Sequence, residues 1–531
     1  MAGRLLFIAV WGLPSGWSET RYYPLVPPKK LKEWVKIGEW KASEHYVLSN
    51  STAIAEIRLL IEHEWSVKLL VFGLDTIATP GGREKTGCQE AASVFKETIS
   101  EAGQNPPSDY AGLSMRARRL LETYLRCFIG RTLSGSLDYE IVVLPGVGHF
   151  AAKGTKYWYR ASPLTARTAL EYKLYKTLRG FKPDAVILDL SHGVNYLPAI
   201  AFQALRRSLN AYAAIEGERP AYAVMNSDPV MDSGQESYIH LIEAGVAGRG
   251  LLELVSELAS SPVFQASGAT GRAYRMMKPI EPPKPLAELN KAHDSLTKRV
   301  SGLIKALARA SSYGFALYIA SRLEKLATAS YREDQARLEA LFETVSGLNP
   351  GETPVRIDHS SGVVQVVWKY QLQPHILDAL YAAEALEKLL GIYKEELGHS
   401  SLTVEGKGIR MYDLDGLRSF MEAIGPSSIG LTLFKNEYHD IKERVENYVK
   451  NRGPGSLEIP TPYAVVYETS GQEHHEGRGE RGSKCEIDKR NFYAHAGMER
   501  NSILVMAIDK KIYVGYRHEC LSRIERIVTN D

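Results

Sequence analysis

The string Arg490-Asn491-Phe492-Tyr493-Ala494-His495 carries a fixed cation, an amide and an imidazole in close succession. A helix is predicted across the window Ile487 to Met498. At about 100° per residue, Arg490, Ala494, Asn491 and His495 fall in that angular order within an arc of about 140°. One face then presents all three groups, with a small alanine between them. An imidazole placed there can exchange a proton with an attacking 2′-hydroxyl or a leaving 5′-oxygen. The guanidinium would stabilise charge developing on a phosphate, and the amide would orient one of the two. Such a set can cleave RNA without a metal. The bare spacing alone favours a surface helix end with an ordinary histidine, so the rest of the chain has to decide between them.

Three apolar strands end in loops that could hold a ligand. Ala185 to Leu190 reads as a short buried strand running into Ser191-His192-Gly193-Val194-Asn195. Small residues at the carboxyl end of a parallel strand let backbone N–H groups approach a phosphate or a base edge. Leu5 to Val10 is a second strand, opening into Trp11-Gly12-Leu13-Pro14-Ser15-Gly16-Trp17. That loop mixes glycine, hydroxyl and aromatic side chains, which suits base stacking with hydrogen bonds. A third strand, Val67 to Phe72, ends in Gly73-Leu74-Asp75-Thr76. Each loop alone also reads as an ordinary βα turn.

Together these strings resemble a known family. Arg-Asn-x-x-Ala-His at 490–495 resembles the signature of HEPN ribonucleases, which set this helix against its copy in a second subunit. Asp-x-Ser-His-Gly-x-Asn at 189–195 and the loop after the first strand are similar to ligand loops of the CARF domain, the cyclic-oligoadenylate sensor of CRISPR defence. In order and spacing the whole chain resembles a CARF–HEPN ribonuclease of type III CRISPR systems. The resemblance implies a sensor pocket shared across a two-fold axis, with Trp11, Gly12, Ser15, Trp17, Asp75, Ser191, His192, Gly193 and Asn195 as its candidate residues. It implies Arg490, Asn491 and His495 as catalytic residues, with no metal and no required cofactor. The implied activator is a cyclic oligoadenylate, cyclic tetra-adenylate for a chain of this shape. The implied partners are single-stranded RNA and a second copy of the chain, with higher assemblies of dimers open.

The implied fold class is an N-terminal doubly wound, Rossmann-like α/β domain over 1–235. A mostly helical connector over 236–370 follows, then an α-helical HEPN domain with a small β-hairpin over 371–531. Alternating apolar strands and helical stretches in the first 235 residues agree with the first part. Glu140 to Leu144 and Ala221 to Met225 complete the strand candidates, and helices are predicted near 53–64, 114–130, 164–178 and 198–208. Lys278 to Pro285 is the best linker candidate, Ser361 to Tyr370 reads as a hairpin arm, and Ser502 to Tyr516 as a small hairpin. Gly471 to Lys484 is polar and glycine-rich and reads as a mobile loop.

Composition permits this reading without suggesting it. Across 531 residues the formal charge is only +3, so no global field marks a nucleic-acid binder. The segment Ala151 to Lys182 is basic, with Tyr157, Trp158, Tyr159, Tyr172 and Tyr175 interleaved. It suits a phosphate-attracting rim or a solvated basic helix. Arg116, Arg118, Arg119, Arg126 and Arg131 read as a solvated helix face. Cys88, Cys127, Cys485 and Cys520 are scattered with no C-x-x-C pair, so neither a zinc site nor a disulfide framework is expected. The pattern fits a reduced cytosol, intracellular disulfides of hyperthermophiles being the exception. With no secretory signal and no apolar run of membrane length, a cytoplasmic location is expected.

Other strings carry less. Gly245 to Gly250 clusters glycines with no clear preceding strand, and Gly81 to Gly87 lacks the G-K-[ST] ending of a phosphate loop. His474-His475 reads as a pair of solvated loop histidines. Two rival functions stay open: a nucleotide-sensing DNA-binding regulator that is not an enzyme, and a sensor that also degrades its own ring. The first needs a helix-turn-helix with a basic recognition helix, and 289–345 shows no clean one.

Overall fold

A computed structural model describes residues 3–529, apart from 195, 231–232, 266–271, 278–281, 327, 361, 405–407 and 471–484. Asn195, His474 and His475, the whole Gly471–Lys484 loop and the first half of the proline-rich linker therefore lie outside the described residues. The chain forms two compact units. One holds Met1–Gly248, Arg272–His293 and Ala336–Leu377; the other holds Arg249–Gly271, Asp294–Gln335 and Asp378–Asp531. The stretch 236–370 thus contributes to both.

The first unit is built on an eight-stranded sheet. Its core is five parallel strands in the spatial order Asp138–Leu144, Ser66–Leu74, Arg4–Trp11, Ala185–Asp189, Ala221–Ser227. The chain starts in the middle strand, winds outward to one side, then returns to lay the last two strands on the other. Strand order therefore reverses between Arg4–Trp11 and Ala185–Asp189, the place where an open α/β sheet parts its loops to make a crevice. Leu5 to Val10 and Ala185 to Leu188 have no measurable exposure, as expected of parallel strands covered on both faces. The helices Thr52–Glu62, Tyr110–Thr132, Pro163–Phe181 and Leu197–Glu216 fall where the sequence predicts them, each running longer or shifted by a few residues.

Several features differ from the sequence reading. Three further strands, Glu236–Val246, Thr20–Tyr23 and Val47–Ser49, extend the sheet beyond Ala221–Ser227. The first is antiparallel to its neighbour and runs into the Gly245 cluster, so a strand does precede those glycines. The hairpin arm is real but has two strands, Arg356–Ser360 and Val363–Val367. The second pairs in parallel with Thr155–Arg160 to build a separate four-stranded sheet.

The basic segment 151–182 is largely engaged. Lys173 pairs with Glu140 at 2.6 Å, Lys176 with Glu339 at 2.8 Å and Arg179 with Glu216 at 2.8 Å. Tyr157, Tyr159, Tyr172 and Tyr175 are buried. The ordinary basic helix describes it better than a phosphate rim. Arg116, Arg119 and Arg126 likewise pair with Glu101, Glu97 and Glu122.

The cysteines overturn the expectation that no disulfides form. Cys88 is bonded to Cys127, and Cys485 to Cys520, across 39 and 35 residues. The first ties the residue before the helix Gln89–Gln104 to the helix Tyr110–Thr132. These pairs are made by tertiary approach, which the spacing of cysteines along the chain does not encode.

The second unit is mainly helical. Its longest helix wholly within the unit, Ser428–Arg452, begins at the Ser427 cap, whose hydroxyl accepts the Gly430 N–H at 3.0 Å. The predicted hairpin, Ile503–Ile508 with Lys511–Tyr516, is there, but as the middle of a five-stranded antiparallel sheet with Thr461–Pro462, Ile409–Asp413 and Ser401–Val404. A close backbone crossing anchors the long helix. A Cβ on Gly430 would lie 2.2 Å from the Ser311 carbonyl oxygen and 3.0 Å from the Gly314 nitrogen, and Gly314 itself has φ +71°. Both partners are backbone and cannot swing away. Gly430→Ala is expected to destabilise this unit by about 1–3 kcal/mol, read as a lower thermal midpoint for its transition. An unchanged midpoint would show that the two segments can separate at no cost.

Candidate functional site

Two clusters gather the residues that the sequence singled out, one in each unit. In the first unit the loops after Arg4–Trp11 and Ala185–Asp189 are laced together. The Gly12 N–H donates to the His192 carbonyl at 2.8 Å. The Trp17 ring stacks on His192 with centroids 3.9 Å apart and planes at 19°, and packs its edge-on neighbour Trp11 at 5.0 Å. Phe128 lies against Trp17 at 5.9 Å. A Cβ on Gly193 would meet the Pro198 ring at 2.4 Å and Val10 at 3.0 Å, so only glycine lets this loop lie so close to the helix that follows.

Behind the loops is a hydrogen-bonded base. Asp189 accepts the Thr52 hydroxyl at 2.7 Å on one oxygen, and the Ser191 N–H at 2.9 Å on the other. The Ser191 hydroxyl oxygen accepts the Ser227 N–H at 2.9 Å, linking the fourth strand's loop to the fifth. The Thr52 N–H donates to His192 Nε2 at 3.2 Å. That acceptor role requires a neutral ring, and enclosure does push the imidazole down to about 3. His192 is thus occupied in bracing the loop, between Trp17 and the start of the helix Thr52–Glu62.

Trp11 and Asp75 have no exposed surface. Asp75 accepts the Gly146 N–H at 2.8 Å, joining the ends of two neighbouring strands. Ser15 is also buried, in the turn Pro14–Gly16, and its carbonyl accepts the Lys85 N–H at 2.7 Å. These three shape the crevice from beneath, while Trp17, Ser191, His192 and Gly193 are half-exposed at it. Burial raises Asp75 to about 7 and Glu56 to about 8, and raises Asp189 as well. Negative charge under the crevice is therefore reduced near neutral pH. Two helices, Thr52–Glu62 and Leu197–Glu216, begin at its rim and aim their positive ends there. Thr52 escaped the sequence reading, although the polar run Ser49-Asn50-Ser51-Thr52 ahead of an apolar helix was a usable signal.

In the second unit, the helix carrying the Arg–Asn–His string is short, Lys489–Ala494, capped by Asp488, whose carboxylate accepts the Asn491 N–H at 2.8 Å. It stops at His495 because Ala496 and Gly497 follow in left-handed conformation, at φ 47° and 77°. Phe492 is buried, against Phe315 at 5.0 Å. Arg490, Asn491 and Ala494 are exposed and His495 half-exposed, which is the face that the helical spacing predicts. Among the described residues, the Arg490 guanidinium makes no ion pair.

His495 is held from below by a residue that the sequence reading missed. Its Nδ1 lies 2.9 Å from Glu437 Oε2, on the helix Ser428–Arg452. Glu437 raises the imidazole above its ordinary value, with Glu499 and Asp440 adding to the effect. Burial pushes Glu437 itself upward, and the contact with His495 opposes that. Nothing local in the sequence marks Glu437; it lies 58 residues before His495. The cluster can therefore offer a proton at a half-exposed imidazole on the face that also carries the exposed Arg490.

Two family models match the chain. The CARF domain of CRISPR system endoribonuclease Csx1 matches residues 6–229, and the HEPN domain of CRISPR system endoribonuclease Csx1 matches residues 429–518. The first range holds the whole crevice, and the second holds Glu437, Arg490, Asn491 and His495. A curated relative, CRISPR system endoribonuclease Csx1 of Methanocaldococcus jannaschii, is 36% identical over 109 residues. That match covers 20% of this chain and 23% of the relative, so the chain spans under a quarter of the relative's length.

Proposed function

We propose, from the premise that this chain belongs to the CARF–HEPN family of CRISPR-associated ribonucleases, that it is an endoribonuclease switched on by a cyclic oligoadenylate. The observation that carries the reading is the outward face of Arg490, Asn491 and His495, with the imidazole fixed at 2.9 Å on Glu437. A single-stranded RNA would bring its 2′-hydroxyl to the adjacent phosphorus. Attack forms the 2′-O–P bond and breaks the bond to the 5′-oxygen, leaving a 2′,3′-cyclic phosphate and a 5′-hydroxyl. Arg490 would bind the phosphate, Asn491 would orient, and His495 would move the proton. All the groups this chemistry needs are side chains, so no metal enters the scheme.

The crevice supports the sensor half. Helix N-termini suit an anionic ring, as does the burial that raises the Asp75 and Glu56 carboxyls, and Trp17, Ser191, His192 and Gly193 would contact it directly. Trp11, Gly12, Ser15 and Asp75 would hold those loops, with Asn195 a further candidate contact. A symmetric ring suits a pocket made by two copies, each reading an equivalent half. Ring binding would favour the cleaving state only in so far as that state binds the ring more tightly. Cyclic tetra-adenylate is the first ring to try, and a cytoplasmic location goes with an RNA substrate.

The test of the chemistry is a matched pair of oligonucleotides, one all-ribose and one with 2′-deoxyribose at the cleaved positions. Only the ribose strand is expected to be cut, with cyclic phosphate ends detected by mass. Equal cutting of both strands would rule out attack by the 2′-hydroxyl.

A further inference from the structure

Glu437 lies beneath His495, its side chain 8% exposed against 45% for the imidazole. A carboxylate that accepts from Nδ1 leaves Nε2 as the ring atom able to meet a substrate. It also fixes which nitrogen carries the inner proton, much as a buried acid orients the histidine of a hydrolytic triad. We propose that Glu437 is a positioning residue that holds His495 as the general acid of the cleavage, its Nδ1–H bound to the carboxylate and its Nε2–H directed at the leaving 5′-oxygen. This rests on the ribonuclease reading above.

The proton count closes. As the 2′-O–P bond forms and the P–O5′ bond breaks, Nε2–H passes its proton to the 5′-oxygen. The 2′-hydroxyl proton leaves to water, and the neutral imidazole is recharged from solvent. An imidazolium is what the surroundings favour. On the helix below, Glu437 and Asp440 are acids; Asp440 is held by Arg444 at 2.8 Å and by the Tyr463 hydroxyl at 3.0 Å. On the turn after His495, Glu499 is a third acid, with Arg500 beside it. Lys489 and Arg490 are the cations on the helix that ends at His495. A group whose charged form is favoured stays protonated to higher pH, so an acid role gives full activity below the raised value and a fall above it.

The experiment measures ring-activated RNA cleavage from about pH 5 to pH 9 for the unaltered chain, Glu437→Gln, Glu437→Asp and His495→Ala. Glu437→Gln is expected to lower kcat by about 10- to 100-fold with KM little changed, and to move the high-pH fall to lower pH. Glu437→Asp, which keeps the carboxylate, should recover part of both and answers any folding failure of the amide variant. A second reading needs no activity: diethyl pyrocarbonate labels neutral imidazole, so the pH midpoint of His495 labelling, followed by peptide mass, should fall in Glu437→Gln. An active chain whose Gln variant keeps the same kcat, fall and labelling midpoint overturns the role of Glu437 alone. A chain that cleaves nothing overturns the ribonuclease reading and the acid role with it. A rate that rises with pH through the histidine's range makes His495 the base and contradicts the proposal.

Discussion

His495→Ala is expected to lower ring-activated RNA cleavage by about 10²- to 10⁴-fold, the range for loss of a positioned general acid or base, while ring binding stays as it was. Two features support the size of this effect. The imidazole is already oriented, with Nδ1 2.9 Å from Glu437 and the chain turning sharply at Ala496 and Gly497 directly after it. No other histidine lies in the Lys489–Ala494 helix to take over the proton. Ring binding should survive because every crevice contact described lies within the first unit. The check is a cleavage time course beside ring binding measured by calorimetry. Cleavage at the original rate would remove His495 from the chemistry.

Gly193→Val is the second large effect, at the other cluster. A Cβ there meets the Pro198 ring at 2.4 Å, and proline has no rotamer by which to yield. Either the Ser191–Gly193 loop lifts from the helix start or the helix shifts. Both moves disturb the contact from Gly12 N–H to the His192 carbonyl and the stack of Trp17 on His192. Overpacking of this kind costs about 1–3 kcal/mol. Charged against ring binding, that is about 10- to 100-fold in affinity. The expected result is a ring titration shifted to correspondingly higher concentration, with the unit still folded by circular dichroism. An unshifted titration would place the ring elsewhere on the molecule.

How much was legible in the sequence depended on whether a feature is local. Leu5 to Val10 and Ala185 to Leu188 are uninterrupted apolar runs because both faces are covered, and the other three parallel strands carry apolar runs over part of their length; such runs stand out in the sequence. The Arg490–His495 face follows from helical spacing, and the exposure of those residues agrees with it. The strands that extend the sheet were harder. Thr20–Tyr23 and Val47–Ser49 are short, and Glu236–Val246 alternates buried and exposed residues only over its first half. Their pairing depends on chain segments far away. The small hairpin at 503–516 was visible from the polar turn Asp509-Lys510-Lys511 between two apolar runs, but not the three strands that complete its sheet.

The disulfides and Glu437 were missed for the same physical reason. Cys88 reaches Cys127, and Glu437 reaches His495, through packing between separate helices and turns. Neither contact leaves a spacing that can be read along the chain. His192 is a subtler case, since its sequence context suggested a ligand contact. The structure gives its Nε2 a partner in the Thr52 N–H and its face a partner in Trp17. A residue at a crevice can hold the loop that binds as well as bind.

The most direct measurement is cleavage of a quenched single-stranded RNA reporter by the purified chain in EDTA, with and without cyclic tetra-adenylate. Cleavage that appears only with the ring is the expected result, joining the crevice of the first unit to the histidine of the second without metal. No cleavage with any ring from three to six adenylates, or cleavage that EDTA abolishes, would contradict it.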